Sequence, residues 1–280
     1  MTGDKTGGKG TVIRFTDEEF AELVAFISQN YGIDLTKKRI LAECRLNSDI
    51  KKSGQTSLGG YLRQIKHDKT GRLETELLNR LTTNYTFFLR ENKHFEFLEK
   101  QILPEIPSGA DSPVYRIWCA GCSSGEECYT LSMYFHSYMK QHGVRLPFHI
   151  LGTDISEKSL KKAEEGRYAL REISNIPEQW QQEYCLIDRE NECFTIRPEI
   201  RQPVRFCRMN LMKPFAGQRQ YDLILCRNVM IYFNEESRKR LLEGLYDSMK
   251  KGGYLFLGHT ELLPRNHEFF QYICPAVYRK

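Results

Sequence analysis

From Val114 onward, short apolar runs rich in β-branched and aromatic residues alternate with stretches of helical period. The runs are Val114–Cys119, Phe148–Thr153, Val204–Met209, Tyr221–Cys226 and Gly253–Gly258, and the helical stretches lie at 126–140, 156–165 and 235–250. Strands that alternate with helices build a parallel sheet with helices on both faces. This pattern predicts an α/β domain over 114–280. One stretch breaks it: after Tyr184 the helical period fades, and Glu192–Pro198 reads as a short strand beside a polar turn at Asp188–Asn191. An inserted small β element is expected there, over 173–206.

The preceding part has a different texture. Residues 11–80 contain no convincing strand. Thr16 and Glu19 form a capping box, and Phe20, Leu23, Val24 and Ile27 follow at helical spacing up to Gly32. A second helix is predicted from about Lys37 to Lys52, a third around Tyr61, Leu62 and Ile65, and a fourth on Leu73, Leu77, Leu78 and Leu81. We therefore expect an all-α domain over 13–83. A linker helix and loop over 84–113 would end in the Pro-, Gly- and Ser-rich segment Pro104–Pro113.

Composition narrows the class. A 280-residue chain with 40% hydrophobic and 28% charged residues has the balance of a two-domain globular protein, not of a disordered chain or fibre. No run approaches the roughly 18–20 apolar residues of a membrane span. Residues 1–12 lack the apolar core of a signal peptide and are expected to be a flexible tail. Nine cysteines, an odd number, suit free thiols in a reducing cytoplasm. A net charge of +5 allows an acidic partner but is too weak to argue for nucleic acid.

Three strand ends carry candidate chemistry. In Arg116–Glu127 a strand runs into the small residues Ala120-Gly121-Cys122-Ser123-Ser124-Gly125, and a helix follows. The dinucleotide fingerprint G-x-G-x-x-G is not met. Glu126 and Glu127 at the helix start would repel a pyrophosphate there, so a cationic or uncharged nucleoside such as S-adenosylmethionine fits better. The two acids could also merely complement the helix dipole. The strand Phe148–Asp154 delivers one acid to its C-terminal end, where a carboxylate can accept from both ribose hydroxyls. Asp154 could instead cap the next helix, although Ser156 is the better cap. The third strand ends in Arg227-Asn228, with Tyr232 just beyond, and Arg227 could equally be a structural ion-pair partner. Cys119-x-x-Cys122 follows a Trp like a thioredoxin motif, but Glu126 and Glu127 would raise the thiol pKa and oppose disulfide exchange. With no second C-x-x-C and no H-x-x-x-H, no metal site is expected. His259-Thr260-Glu261 reads as a structural hydrogen-bonding turn.

Four separated segments together resemble the CheR family, the glutamate methyltransferases of bacterial chemoreceptors. Leu81–Glu91 is similar to the family's N-x-T-x-F-x-R segment, Ser124–Glu127 to its S-T-G-E-E loop, Cys226–Phe233 to its C-R-N-V-x-I-Y-F strand end, and Gly258–Glu261 to its G-H-S-E turn. The resemblance covers about residues 15–280. It implies an all-α N-terminal domain and a Rossmann-like S-adenosylmethionine-dependent methyltransferase domain with a small antiparallel β-subdomain. By matching positions it implies that Asn84, Thr86, Arg90, Glu127, Asp154, Asn210, Leu211, Arg227 and Asn228 bind the cofactor, whose product is S-adenosylhomocysteine. It places Arg90 and Tyr232 nearest the transferring methyl and has both parts of the chain close over the cofactor. Two departures stand out: Cys128 replaces the usual Pro, and Cys119 and Cys122 replace small residues. Some members hold a receptor's C-terminal pentapeptide with a glycine-containing subdomain loop. The corresponding turn, Ile187–Glu192, has no glycine, so independence from that tether is expected.

Free glutamate has a pKa near ~4.3, so an acceptor glutamate is already ionised and needs no general base. Arg90 would orient it and Tyr232 shape the site. Lys38, Arg45 and Lys52 recur every seven residues and lie along one helix face. That stripe would bind the Glu-rich cytoplasmic helices of a methyl-accepting chemoreceptor, or it is simply a solvated face. A monomer is expected, with no nucleic-acid partner and no membrane insertion. The alternatives are a methyltransferase of another acceptor, nucleic acid or small molecule, and a non-catalytic cofactor-binding scaffold.

Overall fold

A computed structural model describes residues 12–109, 111–213 and 220–280. The segment 1–11, most of the expected tail, lies outside the described residues. The chain divides into two compact units, one up to Thr82 and one from Thr83 to Lys280.

The first unit is helical: α1 (Asp17–Tyr31), α2 (Arg39–Lys52), α3 (Leu58–His67) and α4 (Arg72–Leu81). The capping box at the start of α1 is present, with Thr16 accepting from Glu19 N and Glu19 reaching back to Thr16 N. Gly32 ends the helix in the left-handed conformation that glycine adopts freely. Leu23, Ile27, Leu46, Ile50, Leu58, Leu62 and Leu77 form a fully buried core. The segment before α1 lies along α2, where Asn47 bonds both backbone groups of Ile13 and Glu43 accepts from Phe15 N.

The second unit begins with turns and a short helix, α5 (Lys93–Phe97), whose helical path continues to Glu105. A seven-stranded sheet follows. Its strands are β1 (Tyr115–Ala120), β2 (Phe148–Asp154), β6 (Val204–Arg208), β7 (Tyr221–Cys226), β8 (Met249–Leu257), β9 (Gln271–Cys274) and β10 (Val277–Arg279), in the order β6-β2-β1-β7-β8-β10-β9. The first five are parallel and the last two antiparallel. The helices α6 (Glu126–His142), α7 (Glu157–Glu165) and α10 (Glu235–Ser248) are the crossovers. The chain winds from β1 outward through β2 to β6 and then returns to the other side of β1 at β7. That reversal opens a crevice at the carboxyl ends of the strands beside β1.

Between α7 and β6 lies the small antiparallel sheet, β3 (Arg167–Ala169), β4 (Cys185–Asp188) and β5 (Cys193–Ile196), in the order β3-β5-β4. Two short helices, α8 (Glu178–Tyr184) and α9 (Pro198–Arg201), flank it. The insert expected over 173–206 is thus displaced. Its first strand begins at Arg167, and Val204–Arg208 pairs with β2 in the large sheet. A three-residue strand such as β3 is too short to show an alternation that sequence alone could reveal.

Candidate active site

The site is assembled from five strand ends and from the segment that leads into α5. At the end of β1 the chain turns sharply at Gly121, which has φ of +81°. A Cβ there would meet Val229 Cγ2 at 2.4 Å, so only glycine admits the close approach of the β7 loop. Gly121 N and Cys122 N both donate to Thr153 O, at 2.7 and 2.9 Å. Ser123 N donates to Asp154 Oδ2 at 2.8 Å, and Ser123 itself has a positive φ of 50°. Asp154 Oδ1 accepts from Ser156 N at 2.8 Å, while Ser156 caps α7. Asp154 therefore braces two loops and is not the helix cap. Burial pushes its carboxyl above the usual range, against the pull of those backbone N–H groups.

The segment Asn84–Arg90 is extended chain and turn, not helix, and it belongs to the same unit as the sheet. Every residue assigned to the cofactor therefore lies in the second unit. Phe88 anchors the segment, edge-on to Tyr168 at 5.0 Å and 5.8 Å from Phe194, both on the small sheet. Tyr168 also donates its hydroxyl to Ser124 O at 2.7 Å. The small sheet thus holds both the β1–α6 loop and the segment that carries Arg90. Asn84 O accepts from Ser123 Oγ at 3.0 Å, and Thr86 is half-buried beside it.

Arg227 is the electrostatic centre. Its side chain is 2% exposed and pairs with Glu127 at 2.8 Å and Glu91 at 3.2 Å. It also donates to Arg90 O and lies over the Phe95 ring. Burial drives the Glu127 carboxyl up, with Arg227 opposing. Burial acts on Glu91 too, but Arg227, Asn228 and the His259 N–H outweigh it and hold that carboxyl below its usual range. Leu89 and Glu91, on either side of Arg90, have φ of 59° and 55°, and Asn228 has 59°. Such conformations cost a non-glycine residue about 1–3 kcal/mol each and persist where surrounding contacts over-determine them. The contacts here are Arg227 on Arg90 O, Thr130 Oγ1 on Leu89 N, and Glu91 on Asn228 Nδ2.

Glu261 supplies the last brace. It is 7% exposed, and its carboxylate accepts from Asn228 N at 2.6 Å, Gly258 N at 2.9 Å and Ile231 N at 3.1 Å. These bonds fix the turn that presents Tyr232. Asn210 sits in the loop after β6, and its side chain accepts from Met212 N at 2.9 Å; Leu211 follows it, half-buried. Glu126 turns inward to Ser124 Oγ at 2.8 Å and Lys162 at 3.6 Å, and its carboxyl is raised by burial.

Sequence reasoning missed Glu91; the reading of His259-Thr260-Glu261 as a structural hydrogen-bonding turn holds for Glu261, whose targets on the β7 loop it did not identify. The partners of Glu91, which are Arg227, Asn228 and His259, lie 136, 137 and 168 positions away, farther than a local motif spans, and Glu261 reaches back 30 and 33 positions to Ile231 and Asn228. The cysteine reading is refined. Cys119, Cys122 and Cys128 are free and buried, and burial itself, more than the neighbouring acids, raises all three thiols, Cys119 to about 12. In the first unit, Lys38 precedes the first residue of α2, so the stripe starts outside the helix. Arg45 donates to the carbonyls of Arg80, Leu81 and Thr82 at 3.0–3.2 Å, closing the C-terminus of α4.

Glu127, Asp154, Asn210 and Asn228, two carboxylates and two amides among them, stand at or just beyond the carboxyl ends of β1, β2, β6 and β7, where the sheet reverses. The buried arginine there is already committed to two acids. That donor set suits a nucleoside that carries positive charge and no phosphate. The doubly wound sheet and this crevice define an S-adenosylmethionine-dependent methyltransferase. Comparison with known proteins agrees. Residues 84–278 match the CheR methyltransferase SAM binding domain, and residues 18–82 match the CheR methyltransferase all-alpha domain. The chain belongs to the CheR methyltransferase family. It is 38% identical to a chemotaxis protein methyltransferase of Borreliella burgdorferi, over 96% of each chain. It is 32% identical to chemotaxis protein methyltransferase 1 of Pseudomonas aeruginosa, over 93% of this chain and 97% of that one. Its cofactor is S-adenosylmethionine.

Proposed function

We propose that this methyltransferase esterifies glutamate side chains on the cytoplasmic helices of bacterial chemoreceptors. The observation that carries the reading is Arg90. It is half-buried, its guanidinium lies over the Tyr85 and Phe87 rings, and it donates to Tyr85 O at 2.6 Å. Among the described residues it meets no carboxylate, whereas Arg227 meets two. A cation held by strained backbone and left without an acid partner suits an acceptor that brings its own carboxylate.

In this reading Asn84, Thr86, Arg90, Glu127, Asp154, Asn210, Leu211, Arg227 and Asn228 shape the cofactor's seat. The bound cofactor supplies an electrophilic methyl on a sulfonium. Arg90 orients the acceptor carboxylate in line with that methyl, and Tyr232 walls the approach. Rate comes from holding the reactants in line, since an ionised glutamate needs no base. Lys38, Arg45 and Lys52 set the positive field of the first unit that attracts an acidic helix, although Arg45 also has its structural task on α4.

The turn between β4 and β5 supports independence from a C-terminal receptor tether. Asp188 closes it by accepting from Asn191 N and Nδ2 at 3.0 and 2.7 Å. Glu192, with φ of 49°, occupies the left-handed position that a glycine would otherwise take. The enzyme would act as a cytoplasmic monomer on receptors and not on nucleic acid. Among the described residues no helix is long and apolar enough to cross a membrane.

The test is transfer of labelled methyl from S-adenosylmethionine to receptor-containing membranes, followed by mild alkali. Release of volatile methanol is expected, at the same rate from receptors lacking their last five residues. Alkali-stable label would move the acceptor to nitrogen or nucleic acid.

A further inference from the structure

Three side chains that are distant in sequence meet next to Arg227: Glu91, His94 on α5, and His259 in the turn after β8. One ligating atom from each lies within 4.8 Å of the other two. Two imidazoles and a carboxylate are the donors of an open zinc-type centre, which keeps its fourth position for water. Glu91 lies in the left-handed turn just before α5, and His94 follows three residues on in the first turn of that helix.

The state of His94 is what makes the cluster more than a coincidence of polar groups. The residue is 1% exposed, yet neither ring nitrogen makes a well-formed hydrogen bond, although the Ala276 backbone approaches the ring. Buried polar atoms are nearly always paired, so an imidazole with neither nitrogen well bonded calls for a ligand. Its ring stacks on Phe256 at 5.2 Å and faces the His259 ring at 5.0 Å, and Nδ1 lies 3.7 Å from Glu91 Oε2. Charge points the same way. One guanidinium, Arg227, stands between two carboxylates, Glu91 and Glu127, which leaves one negative charge over. Glu91 can also spare an oxygen. Oε2 faces Arg227, while Oε1 is held only by two long bonds of 3.3 Å, from Asn228 Nδ2 and His259 N. His259 is exposed, which gives an ion a route from solvent and a ring able to swing inward to the roughly 2 Å that coordination requires.

We propose that Glu91, His94 and His259 form a binding site for a borderline divalent transition ion, Zn²⁺ or Co²⁺. Imidazole and carboxylate ligands select this class over Mg²⁺ or Ca²⁺, which favour all-oxygen shells. The proposal does not depend on which acceptor is methylated.

The test uses the full chain, stripped of metal by chelation and free of any histidine tag. Calorimetric titration with Zn²⁺ should give one ion per chain. Co²⁺ should give the visible bands of a four-coordinate ion without thiolate charge transfer, which sets the exposed Cys44 and Cys207 apart as ligands. His259→Ala should weaken binding at least tenfold with an unchanged circular dichroism spectrum. His94→Phe, which keeps the ring stacked on Phe256, should do the same. If His94→Phe fails to fold, the exposed His259→Ala decides alone. Absence of one-to-one binding, thiolate bands, or an unchanged affinity in His259→Ala would each overturn the proposal.

Discussion

Each unit builds an ionic cluster around a buried charge, and the two are made in opposite ways. In the helical unit the centre is an acid. Glu43 is 4% exposed and accepts from Phe15 N, with Arg14 at 2.7 Å and Arg39 at 3.7 Å. Its arginines keep much of their hydration, with Arg14 73% exposed. In the sheet unit the centre is a cation. Arg227 is 2% exposed between two acids, and Leu89, Glu91 and Asn228 around it are in left-handed conformations. The first cluster staples the segment before α1 to α2 on regular backbone. The second holds strained backbone in place beside an arginine that still lacks an acid partner. The comparison separates a device for stability from a device for holding a site.

The largest effect should come from Arg227→Leu. Removing one member of a buried ion pair costs about 3–5 kcal/mol, and here two acids are orphaned. Chemical denaturation should register that loss; a cost under about 1 kcal/mol would put Arg227 on a par with a surface pair. Arg90→Ala comes next. Turnover should fall by roughly 10²–10³-fold, the scale of losing one preorganised donor, with the melting temperature nearly unchanged. Near-normal turnover would remove Arg90 from the chemistry. Glu43→Gln should cost only about 1 kcal/mol, because its arginines can return to water, and should leave turnover intact.

The smallest and most discriminating effect is the order of titration. Burial raises Glu126, Glu127 and Asp154. A group raised on folding contributes stability that is present below its unfolded pKa and lost as pH rises through its folded one. Hydrogen bonds and nearby cations, outweighing burial where it opposes them, lower Glu19, Asp34, Glu43 and Asp68. Their contribution is present above the unfolded value and fades as pH falls through the folded one. On acidification, carboxyl-detected NMR should show Glu126 and Glu127 taking up protons before Glu19 and Glu43, and Asp154 before Asp34 and Asp68. The reverse order would refute burial as the dominant cause in the sheet unit.

Legibility in the sequence divides along the same line. Thr16, Glu19 and Gly32 mark α1 because caps are local signals, and the five parallel strands were evident as apolar runs. The order of the sheet's antiparallel edge was not. The strands β9 and β10 have only four and three residues, separated by Pro275 and Ala276, and so carry almost no periodicity. Of the site, the residues that face the crevice could be placed by their strand ends. The braces behind them were legible only in part: His259-Thr260-Glu261 could be read as a hydrogen-bonding turn, but not what it holds. Nothing in the letters of Leu89, Glu91 or Asn228 announces a positive φ, and Glu261 acts on backbone groups up to 33 positions away.

The three thiols beneath the β1–α6 loop give that loop a built-in clock. Cys119, Cys122 and Cys128 are buried, whereas Cys44 and Cys207 are exposed. A thiol reagent will therefore consume Cys44 and Cys207 at once and the half-buried Cys274 next, and, among the six buried cysteines, it reaches these three only when the loop detaches from Thr153, Asp154 and Tyr168. The slow phase measures the free energy of that local opening, and a ligand seated on the loop must lengthen it by the fraction of time the seat is filled.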